Sequence, residues 1–155
     1  RMFDEWKFRH PDGKDVLRVF ERESGMVLDW YYDQFVYSTR TVDYAVESVG
    51  QGAGGPSTTR VSLVNQGTMP MPLDIDVTYE DGTKERFNIP LRIMRGEKPA
   101  EDGEFAHTLL QDWPWVEPGY SFDIPVSPDR VRSIEIDASG RLADVDRSDN
   151  RWESP

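Results

Sequence analysis

The chain contains no cysteine, which excludes disulfide frameworks, thiolate zinc ribbons and thiol nucleophiles. Histidine is almost missing too. A helical zinc site of the H-E-x-x-H kind needs two histidines one turn apart, but His10 and His107 stand far apart, each without such a neighbour. Both fall in loop-like contexts, where a surface or interface imidazole is the expected role. Positive charge is scarce as well. With 18 basic against 29 acidic residues the net charge is −11. That surface repels a phosphate backbone, whose counterions must be displaced by Lys and Arg, and it disfavours anionic membrane surfaces. No apolar run is long enough to span a bilayer. No G-x-S-x-G nucleophile elbow occurs.

What is present is patterned. The hydrophobic share, 37%, lies below the ordinary globular share, yet the apolar residues recur with clear periods, so a packed core is expected. The opening residues Arg1–Trp6 hold no apolar signal core, and Phe3, Trp6 and Phe8 need a surface to cover them. The expectation is a segment cut from a longer polypeptide.

Two regions of unequal size emerge, residues 1–38 and 39–155. In the first, Asp12 suits an N-cap, with Asp15 in the first turn of a helix that carries Val16, Val19, Phe20 and Glu23 at helical spacing and Leu17 beside them. Gly25 suits a left-handed C′ position. Asp29 is expected to cap a second helix running through Phe35 and Val36, stapled by Leu28. A helical hairpin this small cannot bury both its faces, so it must lean on something.

From Thr41 the period changes to two. Thr41–Val49 alternates Val42, Tyr44 and Val46 with polar neighbours, and Arg60–Asn65 and Val131–Asp137 behave alike. The clearest hairpin is Met71–Ile93, turning at Glu80-Asp81-Gly82. A two-residue turn would mix its faces. A three-residue loop with Gly82 left-handed sets Ile75 opposite Phe87 and Leu73 opposite Ile89. Pro70, Pro72 and Pro90 confine those strand ends to edges or bulges. Short strands with Gly and Pro punctuation imply a mainly β fold, an antiparallel immunoglobulin-like β-sandwich preceded by the helical hairpin.

Several segments mimic functional motifs. Gly50–Gly55 satisfies G-x-G-x-x-G, with Asp74 downstream, but Pro56–Thr59 lead into a strand where a dinucleotide site needs a helix N-terminus; a flexible connection between strands is expected. Asp144 and Asp146 begin a run resembling a calcium loop, but its sixth position is Asp149, not glycine. A solvated strand end fits better, with calcium as the minor reading. Asp74 and Asp76 share a strand face and are expected on its wet side. In Asp112-Trp113-Pro114-Trp115, followed by Tyr120, the aromatic rings suit either packing and docking or a sugar-stacking platform, packing being favoured.

The order of elements resembles a known family. Residues 8–38, with the Ser24-Gly25 pair and the aromatic-rich Leu28–Val36, are similar to the last catalytic-domain helices of zinc aminopeptidases of the aminopeptidase N type, the gluzincin metallopeptidases. Met69-Pro70-Met71-Pro72-Leu73, the Asp81-Gly82-Thr83 turn, Pro90–Gly96, Asp112–Trp115 and Ala143–Arg147 resemble the sandwich that follows in a bacterial branch. The resemblance covers nearly the whole chain. It implies a parent enzyme that trims N-terminal residues from peptides, with its zinc, H-E-x-x-H motif, further zinc-binding Glu and oxyanion-stabilising Tyr all upstream. It also implies a bacterial periplasmic or secreted location. No position here matches a catalytic residue, so this chain is expected to be non-catalytic and free of cofactor, meeting peptide substrates only through its parent.

The function expected is therefore an accessory domain packing against the upstream catalytic domain of the same polypeptide. Val16 and Phe20 are its interface candidates. The alternative is a carbohydrate-binding or adhesion module presenting Trp113, Trp115 and Tyr120.

Overall fold

The computed structural model describes residues 1–96, 105–114 and 116–155. Among these the chain is mainly β, with three helices ahead of two sheets. The helices are α1 (Met2–Trp6), α2 (Gly13–Ser24) and α3 (Asp29–Tyr37). The strands are β1 (Tyr44–Gly52), β2 (Gly55–Asn65), β3 (Leu73–Tyr79), β4 (Lys84–Ile89), β5 (Ala106–Leu109), β6 (Gly119–Ile124), β7 (Val131–Ile136) and β8 (Arg151–Glu153). One sheet runs β1-β2-β6 and the other β5-β4-β3-β7-β8. Among the described strands all pairings are antiparallel except β4 with β5, which is parallel, so the fully antiparallel expectation is corrected at that edge.

Both sheets feed one core. Leu73, Ile75 and Val77 of β3, Phe87 and Ile89 of β4 and Ile134 and Ile136 of β7 meet Tyr44 of β1, Val61 and Leu63 of β2 and Phe122 and Ile124 of β6. Two bulges keep the apolar side chains inward. A register shift between Val46 and Ser48 moves the inward set of β1 from even to odd positions, so Val49 joins Tyr44 and Val46 against the core. Another, where Thr78 and Tyr79 face Ser133 and Val131, skips Arg132 and lets Val131 point inward with Ile134 and Ile136.

The β3–β4 register is the one expected from the three-residue loop: Leu73 faces Ile89 and Ile75 faces Phe87. Gly82 closes the turn at φ 83°, a conformation that costs other residues a clash with Cβ. Its neighbour Asp81 accepts from the Thr83 N–H and hydroxyl at 3.0 and 2.6 Å. The prolines need correction. β3 and β4 are interior strands, and Pro70, Pro72 and Pro90 lie just beyond their ends, where no ladder donor is required.

The glycine-rich segment also differs from expectation. Gly50 and Gly52 complete β1 and Gly55–Thr59 begin β2, so a tight hairpin replaces the flexible connection, and Gln51 pairs with Thr59. Bulk-free residues let the two strands continue to the tip.

In the helices, Asp12 caps α2 as expected: its carboxylate accepts from Lys14 N and Asp15 N at 2.9 Å, while Asp15 reaches back to Asp12 N at 3.1 Å. Gly25 ends the helix left-handed. The next cap does not follow the expectation. Leu28 occupies the N-cap of α3 and Asp29 is its first helical residue: the Leu28 carbonyl accepts from Tyr31 N and Tyr32 N at 3.1 and 3.0 Å, while its own N–H donates to Glu21 Oε1 at 2.8 Å. α1, which no sequence signal marked, is tied to α2 by Arg22–Glu5 and Arg1–Glu23 ion pairs. No described helix is long and apolar enough to cross a membrane.

Candidate functional site

Among the described residues the helical hairpin leans on the β region around the 3₁₀ turn that follows β4. The 3₁₀ turn Arg92–Met94 presents Met94, which is buried, and its carbonyl accepts from Val27 N at 3.1 Å. Met26, Trp30 and Tyr31 pack against the common core from this side. Trp30 is held by its indole N–H, which donates to Val27 O at 2.8 Å. Tyr31 meets Trp30 edge-on at 5.9 Å and stacks on Phe35 at 5.1 Å. Burial raises the Tyr31 hydroxyl above the usual phenol range.

An open apolar groove of about 840 Å³ lies between the helices and this foothold. Val16, Leu17 and Phe20 of α2 form one wall, Tyr31 and Phe35 of α3 the other, and Met71, Pro72 and Met94 lie at the base. Phe20 remains 56% exposed, and Phe35 and Val36 are also exposed. The expected stripe is thereby divided. Val19, grouped by spacing with Val16 and Phe20, is buried, Val16 is half-buried, and Phe20 stays open. Phe3 and Phe8 are exposed too, Phe8 at 99%. Seven residues of the helical region (Phe3, Phe8, Phe20, Val27, Phe35, Val36 and Tyr37) are large exposed hydrophobics, against Leu109, Val116 and Val145 in the rest of the described chain. Chemically the groove can exclude water and accept apolar side chains. Its lining offers little for acid–base work, Glu23 being the ionisable carboxylate among the lining residues.

Trp113 is a plug. Trp113 is 3% exposed, its N–H donates to Pro90 O at 2.9 Å, and its indole N–H donates to Glu117 O at 2.8 Å. Tyr44 meets it edge-on at 5.5 Å and Tyr120 stacks on it at 5.2 Å. Tyr120 is half-buried and donates its hydroxyl to Gln111 O at 2.8 Å. A sugar platform built on Trp113 is therefore corrected: its ring faces protein on both sides, in keeping with the packing reading. Trp115 lies outside the described residues. Tyr44 is itself deeply placed, and burial pushes its hydroxyl up to about 12.

The carboxylates are structural in their contacts. Asp76 pairs bidentately with Arg86 at 2.6 and 2.9 Å, and Asp74 accepts from Asn88 Nδ2 at 2.8 Å. The expected wet face is corrected here, since the Asp76 and Arg86 side chains are only 13% and 11% exposed. Arg86 also covers the ring of Phe105 at 5.2 Å.

Asp144 accepts from Tyr44 N at 3.1 Å and from Asp146 N at 3.0 Å; Asp146 accepts from Ser148 N and Oγ at 3.0 and 2.6 Å. These Ser148 contacts hold Asp146 below the usual carboxylate range. The pair thus pins the loop before β8 against β1. Nearby Asp43 is pushed up, first by desolvation and then by the charges of Asp144, Asp149 and Asp146. Among the described residues no group of three or more His, Asp or Glu side chains is placed to hold a metal ion. His10 is an exposed loop residue. His107, expected in a loop, instead sits half-buried on β5 opposite Arg86.

Asp137 is a further hub that the sequence did not reveal. Burial alone would raise its carboxyl, but hydrogen bonds from Leu142 N, Ser139 Oγ, Arg141 N and Arg147 Nη1 outweigh that and hold it low. The groove base was equally hidden: Met71, Pro72 and Met94 come from two connections distant in sequence from α2 and α3, and no periodic signal links them.

No family model, curated protein or solved structure matches the chain.

Proposed function

We propose that this chain is a non-catalytic accessory portion of a zinc aminopeptidase-like metallopeptidase, docked on the parent's upstream catalytic domain through the apolar face of its helical hairpin. The observation that carries the reading is the open apolar groove lined by α2 and α3, with Phe20 and Phe35 exposed on it, the kind of surface that a second protein layer covers. A fully exposed side chain of that size forgoes about 1.5–3 kcal/mol of burial. Zinc belongs to the upstream part in this reading. On this reading no chemical step is assigned to His10 or His107.

The finer fold assignment belongs to the same proposal. The order β1-β2-β6 corresponds to strands A-B-E of an immunoglobulin-like sandwich, and β4-β3-β7-β8 to C′-C-F-G. The shared core and the antiparallel pairing of these seven strands support that assignment, while β5 is an addition beside C′. In this role the sandwich is a rigid wall and the hairpin its joint. A bacterial periplasmic or secreted setting follows from the family likeness alone.

Co-expression of residues 1–155 with the upstream remainder of the polypeptide tests the reading. A stable one-to-one complex is expected, and the pair of changes Phe20→Asp and Phe35→Asp should abolish it while the isolated chain keeps its melting temperature. A complex indifferent to those changes would overturn the docking face. Stoichiometric zinc with aminopeptidase turnover by residues 1–155 alone would overturn the accessory role.

A further inference from the structure

We draw no further inference here: the strongest candidate, the acidic cluster of Asp43, Asp144, Asp146 and Asp149 where the start of β1 meets the loop before β8, leaves Asp43 Oδ1 and Asp149 Oδ1 without a hydrogen-bond partner, but both side chains are only part-buried and the described carboxylates are not placed to hold a metal ion.

Discussion

The two parts of this molecule treat apolar surface in opposite ways. In the β region, Ile75, Val77, Leu63, Ile134 and Ile136 are completely buried, and Trp113 seals the core from the side. In the helical region, residues 1–38, Phe8, Phe20, Phe35 and Tyr37 stand open, and only Val19 is buried. Both parts have well-formed local structure, as the α2 capping box and the β3–β4 register show. The difference lies in the number of layers. A sheet facing a sheet covers both inner faces at once, whereas the helical hairpin, leaning on the β region around Met94, leaves Phe20, Phe35 and Tyr37 exposed among the described residues. Local order and surface coverage are thus separate properties, and here they part company along one chain.

Substitutions at the two kinds of site should widen that contrast. Trp113→Ala removes the plug between Tyr44 and Tyr120 and should cost about 3–5 kcal/mol in chemical denaturation. A loss under about 1 kcal/mol would mean that the indole is not part of the core. Next comes Asp76→Ala, which removes the bidentate carboxylate partner of the nearly dry Arg86 guanidinium. The expected destabilisation is on the order of 3 kcal/mol, and a change within experimental error in urea titration would show the pair to be solvated. Gly82→Ala forces a Cβ into the left-handed turn and should lower stability by about 1 kcal/mol, with the thermal transition remaining cooperative.

The pH dependence of the β1 junction supplies a subtler probe. Asp43 has a raised folded-state value, so the folded chain holds its proton more tightly than the unfolded chain does. The stability this contributes is complete below the unfolded carboxylate range and is lost as pH rises through the folded value. Asp43→Asn should therefore be more stable than the parent near neutral pH, with the two melting curves converging in acid. A variant less stable at neutral pH would show that the Asp43 charge is favourable.

The smallest stability effect is expected in the helices. Phe20→Ala should change unfolding free energy by no more than about 0.5 kcal/mol, yet it should reduce binding of an apolar fluorescent dye. A large loss of stability would place Phe20 in the core and remove the comparison altogether.

How much was legible depended on the range of the interaction. The Asp12 cap, the Gly25 terminus and the Gly82 hairpin register could be read directly because each is a local rule applied to adjacent residues. Asp29 was misread as a cap because residue type marks a helix start only to within a residue or so, and it is the Leu28 carbonyl that accepts the first helical N–H bonds. Asp74 and Asp76 were placed on a wet face because alternation reveals which side of a strand is shared, not what covers it. Their partners on β4, Arg86 and Asn88, are set by register, and the coverage of that face is a tertiary matter.

By itself the sequence determined the α2–α3 hairpin, the order of β1, β2, β3, β4 and β7, the inward set of β3 and β4 and the lack of any helical zinc motif, since propensity, period and composition act over a few residues. Only the tertiary structure decided that β5 joins in parallel, that Trp113 turns inward and that Met71 and Met94 come together beneath α2 and α3. Those outcomes depend on closing long loops and filling a common volume, and no short stretch of chain encodes either constraint.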